Sequence, residues 1–152
     1  MKAKAFLSQL QKIYRMIENK LAEVERWKQV ASGLGGIGAD ADKVKSSGKP
    51  DKMAEAVAKY VDLEKEINEH IDQLVDIRKD VVTVIEMLDI GEYDLLHKVY
   101  VQYLTLDEAS YKMGKSYTWA TTTHKRALAN VQKILDERTG LAERYLEGGN
   151  AK

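Results

Sequence analysis

Apolar residues recur along residues 3–31 at alternating steps of four and three: Phe6, Leu10, Ile13, Ile17, Val24 and Trp27. Lys20 stands where the rhythm asks for one more apolar side chain. This is the heptad period, which lines one stripe of a helix for a partner. The stretch ASGLGGIGADADKVKSSGKP then breaks the pattern with five glycines and the chain's single proline, so residues 32–50 read as a loop. Pro50 suits the first turn of the helix that follows, where its missing N–H costs nothing, and Asp51 complements the helix dipole there. From Asp51 the rhythm resumes through Met53, Val57, Tyr60, Ile67, Ile71, Leu74, Val81, Ile85 and Leu88. Glu64 and Arg78 interrupt it, beside Leu63 and Ile77, which can stand in for them. At about 1.5 Å per residue this second helix runs roughly 60 Å. An apolar stripe on a polar helix has to be covered, so residues 1–90 are expected to form an antiparallel coiled-coil hairpin.

DIGEYDLL ends the long helix, with Gly91 as the break. Three helices are expected after it: Tyr93 to Leu104, Leu106 to Met113, and Tyr117 to about Arg138. In this order, with tight connections, they are the minimal frame of a helix-turn-helix domain, residues 91–147, followed by a tail at 148–152. Thr105 and Glu108 make a capping box, and Leu104 before the cap is placed to staple onto Ala109. Gly114 supplies the positive φ that a tight turn needs. Ser116 then caps the last helix, whose inward stripe is Ala120, Thr123, Ala127, Leu128, Val131 and Ile134. The expected fold class is all-α.

Charge sharpens this picture. Residues 1–50 carry 10 basic and 5 acidic side chains, residues 51–90 carry 5 and 11, and residues 91–152 carry 9 and 8. The balances of +5 and −6 favour the first two helices pairing with each other. From Ala109 to Leu135 there is no Asp or Glu, although the whole chain is electroneutral. That window holds Lys112, Lys115, Lys125, Arg126 and Lys133. The absence of cysteine excludes disulfides and cysteine-based zinc sites. No apolar run approaches the roughly 20 residues of a membrane span, and charges interrupt the N-terminus where a signal peptide would be apolar. A soluble protein with no membrane partner is expected.

Around the glycine turn, Tyr117, Thr118, Trp119, Thr121, Thr122 and Lys125 fall outward or beside the inward stripe. Hydroxyls bond base edges or phosphates, aromatic rings pack on sugars or thymine methyls, and lysines meet phosphate. The face therefore reads as one that meets double-stranded DNA. Lys112, Lys115, Lys125 and Arg126 are its phosphate contacts. Ser116 is its cap, and Tyr117, Thr118, Thr121 and Thr122 are its base readers, with Trp119 either buried or on the DNA. The competing reading is a locally uncharged helix packed on the coiled coil, with Trp119 in the interface. Glu66 and His70 share a helix face, without the further ligands a metal site needs. Met16, Met53, Met87 and Met113 read as core packing. GLGGIG lacks the Gly-Lys-Ser/Thr of a phosphate loop. No nucleophile, base and orienting acid come together, so neither an enzyme nor a cofactor is expected.

YVQYLTLDEASYKMGKSYTWATTTHKRALANVQKIL resembles region four of bacterial sigma factors, as used in the ArpU and RinA group of phage late transcription regulators. SSGKPDKMAEAVAKYVDLEKEINEHIDQLVDIRKDV is similar to the N-terminal region of related phage proteins described only as a domain of unknown function. The resemblance implies a coiled-coil hairpin feeding a DNA-binding helix-turn-helix, acting in the cytoplasm of a bacterial host. On it, Ser116 matches the recognition-helix cap, while Tyr117, Thr118, Thr121 and Thr122 match base-facing positions. Ala109, Ala120 and Thr123 depart from the large aliphatics usual there, and Ser110 from the usual alanine. Three readings follow: a late-gene transcription regulator, a packaging factor resembling a small terminase subunit, or an interaction protein that binds a partner such as RNA polymerase. Promoter-reading helix-turn-helix proteins usually bind as homodimers. The surplus apolar seam near Val81, Ile85 and Leu88 suits either such a dimer or packing on the C-terminal domain.

Overall fold

The computed structural model describes residues 1–33 and 49–150, and every regular element among them is helical. In chain order these are α1 (Ala3–Ala31), α2 (Lys49–Ile85), α3 (Ile90–Leu96), a π-helical turn (His97–Val101), α4 (Leu106–Lys112) and α5 (Tyr117–Asn150). Most of the expected loop at 32–50, with nearly all of GLGGIG, lies outside the described residues, as do residues 151 and 152 of the expected tail. The chain divides into two compact units: Lys12–Val75, and residues 1–11 with those from Asp76 onward.

In the first unit, Ile17, Val24 and Ile67 form a buried core, with Ile13, Tyr60, Leu63 and Leu74 packed against it. Lys20 Nζ lies 2.6 Å from Glu66, and Lys28 Nζ lies 3.4 Å from Glu64. Advancing along α1 therefore means retreating along α2, so the two stretches are antiparallel. Lys20 occupies an apolar seam position by covering the seam with its stem and giving its charge to Glu66. That pair holds the Glu66 carboxyl below its ordinary range, through the Lys20 hydrogen bond first and its charge second. Lys28 also lies 5.5 Å from the Tyr60 ring centroid.

The seam on α2 differs from the expected one. It passes through Met53, Ala56, Tyr60, Leu63, Ile67 and Leu74, while Val57 and Ile71 are 40% and 42% exposed. Strict alternation of three and four from Met53 reaches Ala56 and Leu63. Val57 and Ile71 each sit next to a position on that track, about 100° round the helix. Glu64 thus interrupts nothing, being outside the seam. Among the methionines, Met53 and Met113 are half-buried, whereas Met16 and Met87 are exposed.

In the second unit, Leu7, Leu10, Val81, Val84, Ile85, Leu95, Leu96 and Val131 are at most 1% exposed. Val81 and Ile85, the surplus seam, are thus buried within this unit. Leu95, Ala109 and Ala120 form a cluster enclosed by Val99, Leu104, Leu106, Met113 and Trp119, and α3 and α4 both pack on α5. Gly91 is not the helix break. α2 ends at Ile85, and Asp89 starts α3 by accepting a 2.8 Å hydrogen bond from the Glu92 N–H. Gly91 lies inside α3, where a Cβ would sit 3.7 Å from Trp119 Cζ2. The expected helix from Tyr93 to Leu104 is instead α3 followed by the π-helical turn. α5 runs past Arg138 to Asn150.

Candidate nucleic-acid interface

Local chemistry explains the turn that carries the candidate residues. Thr105 caps α4: its Oγ1 accepts from the Glu108 N–H and donates to Glu108 Oε1, both at 3.1 Å. α4 ends in a Schellman motif. Lys115 N–H reaches back to Ser110 O at 2.9 Å, and Gly114 N–H to Tyr111 O at 3.1 Å. Gly114 takes φ +68°, the left-handed conformation that this motif requires. Ser116 then opens α5 by accepting from the Trp119 N–H at 3.0 Å.

Beneath this turn the small residues are buried. Ala109 and Ala120 are fully buried, Thr123 is 1% exposed, and Ser110 spends its hydroxyl on Asp107 O at 2.8 Å. The half-buried Trp119 packs against the cluster of Leu95, Ala109 and Ala120. Trp119 thus packs on the core and keeps one side in solvent.

Above the turn, Lys112, Lys115, Ser116, Tyr117, Thr118, Thr122 and Lys125 are exposed, and Thr121 is half-buried. Lys115 Nζ lies 5.5 Å from the Trp119 ring centroid. Thr121 donates its hydroxyl to Thr118 O at 2.9 Å. Thr121, Thr122, Lys125 and Arg126 line an open groove of about 530 Å³. Among the described residues, Lys112, Lys115 and Lys125 enter no ion pair, while Arg126 does.

The Arg126 pair is the main feature that pattern reading missed. Arg126 Nε donates to Glu92 Oε1 at 2.9 Å, and Asn130 Nδ2 donates to both Glu92 oxygens at 2.9 and 3.1 Å. The Glu92 side chain is 2% exposed and that of Arg126 57%. The guanidinium is anchored by a buried carboxylate without being covered. Arg126 and Asn130 stand one helical turn apart on α5, which is the only sequence trace of this arrangement. Their acceptor lies in DIGEYDLL, which reads as a helix end rather than a helix start.

A second polar pair joins the π-helical turn to α5. The Tyr100 hydroxyl lies 2.7 Å from His124 Nε2, and the two rings stack 5.8 Å apart. Burial, with the nearby Lys4 charge, pushes the His124 pKa down, and burial pushes the Tyr100 hydroxyl up. Among the described residues no group of three His, Cys, Asp or Glu side chains is placed to hold a metal, and no helix is long and apolar enough to cross a membrane. His70 Nδ1 lies 3.2 Å from Gln73 Oε1. No protein-family model, curated protein or solved structure matches the chain.

Proposed function

We propose that this chain is a DNA-binding regulator of transcription, of the phage late-gene kind that the resemblance implies. In this reading the antiparallel stretches of α1 and α2 are a coiled-coil hairpin, and α3, α4 and α5 are a helix-turn-helix domain. The observation that carries it is the face around Gly114. Lys112, Lys115 and Lys125, the cap Ser116, Tyr117, Thr118 and Thr122 are all exposed there, in a window without a single acid. Phosphate contacts position a protein on DNA and base contacts specify the site, and both residue types stand at the start of α5. Arg126 adds a cation held by Glu92. The reading assigns no catalytic group.

The test is a fluorescence-anisotropy salt titration on a duplex selected from random sequence, with a scrambled duplex as control. Lys125→Ala weakens binding to both duplexes and lowers the log–log salt slope by about 1. Thr122→Ala costs about 1–3 kcal/mol on the selected duplex and little on the scrambled one. If both variants bind like the parent at every salt concentration, α5 does not touch DNA. That outcome favours the second reading, a module docking on the transcription machinery, for example RNA polymerase. Tyr111 and Tyr117, 86% and 55% exposed, are what support it, because aromatics are enriched in protein interfaces.

A further inference from the structure

Among the described residues Glu92 is the only buried charged side chain, and its bonds all run to α5. Both of its oxygens accept from Asn130 Nδ2, and Oε1 also accepts from Arg126 Nε. A buried carboxylate costs free energy until donors satisfy it. On stability alone an apolar side chain serves as well at such a position. Its placement asks for a reason beyond packing, and that reason lies in the part of Arg126 that Glu92 leaves free.

A guanidinium carries its N–H donors in one plane. Nε is taken by Glu92, while no hydrogen bond among the described residues takes up the two terminal amino groups, and the side chain is 57% exposed. Arg126 lines the open groove together with Thr121, Thr122 and Lys125. At about 100° per residue it stands roughly 40° beyond Thr122, at the rim of the exposed face on the side of α3. The rim of a helix lying in a DNA groove meets the sugar–phosphate wall, whereas the middle of its face meets base edges. Two parallel N–H donors match two oxygens of a phosphodiester, a bidentate contact that lysine cannot make.

We propose that Glu92 is a positioning residue: by holding Arg126 at Nε, it presents the terminal amino groups as a fixed fork to one backbone phosphate of DNA. This rests on the DNA-binding reading above and adds to it the group that aims the cation. Lys125, in no ion pair among the described residues, meets phosphate as a loose point charge. Arg126 meets it in one orientation, with rotamer freedom already lost on folding.

The test is a double-mutant cycle of R126K and E92Q, read by anisotropy on the selected and scrambled duplexes. R126K keeps the charge and donates to Glu92 but has no planar fork. It binds both duplexes about tenfold more weakly than the parent, with the salt slope unchanged. With E92Q in place the fork is no longer aimed, and Arg and Lys at 126 differ by about twofold at most. E92Q adds one positive charge in either background, so the comparison cancels it. The same step from Arg to Lys with and without E92Q overturns the proposal, and so does R126K binding like the parent. A loss confined to the selected duplex overturns the phosphate assignment, because the guanidinium then reads a base. A parent that binds neither duplex overturns the DNA-binding reading, and this inference with it. Helical circular dichroism checks that each variant is folded. Should E92Q not fold, E92D takes its place, keeping the charge and drawing the carboxylate back by one methylene. The step from Arg to Lys then shrinks in the same way, and an undiminished step overturns the proposal.

Discussion

Arg126 and Lys125 are neighbours in sequence and both present a positive charge, yet they play different parts. Lys125 is exposed and enters no ion pair among the described residues, whereas Arg126 bonds a carboxylate that is 2% exposed. Arg126→Ala leaves Glu92 with Asn130 as its remaining donor, at a cost of about 2–3 kcal/mol. The figure stays below that of a wholly buried pair because solvent screens the guanidinium. Lys125→Ala stays within about 0.5 kcal/mol. Urea unfolding of both variants separates them, and equal midpoints mean that the Glu92 pair contributes nothing. His124 adds a pH dependence. Its folded pKa lies below the ordinary 6.5, so the unfolded chain takes up the proton first as pH falls. Its contribution is fully present above pH 6.5 and is lost as pH drops below that value. His97, also shifted down by burial and by Arg78 and Lys98, acts in the same direction. Thermal melts from pH 7.5 to 5.5 should fall less steeply for His124→Gln than for the parent; parallel curves would refute the assignment.

At the scale of elements, two glycines make opposite predictions. Gly114 holds φ +68° at the end of α4, so Gly114→Ala strains the turn by about 1–2 kcal/mol. Gly91 sits inside α3 with room for a methyl group against Trp119, so Gly91→Ala stabilises by about 0.5–1 kcal/mol. Melting temperatures that move the same way in both variants contradict this account. The caps at Thr105 and Ser116 and the Gly114 turn were legible in the sequence because each is set within a few residues of chain. The start of α3 was not: Asp89 caps it, but a glycine two residues later looks like a terminator when only local propensity is weighed. In the seam of Lys12–Val75, Ile67→Asp puts a charge among Ile17 and Val24. Circular dichroism should show lost helicity well beyond one turn, and an unchanged spectrum would mean the seam is misplaced.

For the molecule as a whole, the proposed DNA contact makes a prediction about copy number. Two copies on one duplex hold two reading helices, so linking two half-site contacts multiplies affinity. The protein should then bind a duplex carrying two selected half-sites far more tightly than a duplex carrying one. Anisotropy on the two duplexes reads this directly. Equal affinity on both would mean that one copy reads DNA alone.

By itself the sequence determined the all-helical class, the heptad period of the two long helices and the position of the glycine turn. All three depend on period or on bonds spanning a few residues, and those are written in residue order. Tertiary structure decided which of two neighbouring tracks on α2 is buried. Val57 and Ala56 both keep a heptad, yet Ala56 is buried and Val57 is 40% exposed, and the buried track is the one whose Ile67 packs with Ile17 and Val24. It also decided that Val81 and Ile85 serve the unit containing the C-terminal helices, and that Glu92, 34 residues from Arg126, is that side chain's partner. A buried carboxylate can exist only where donors converge on it, and that convergence is a property of three-dimensional packing.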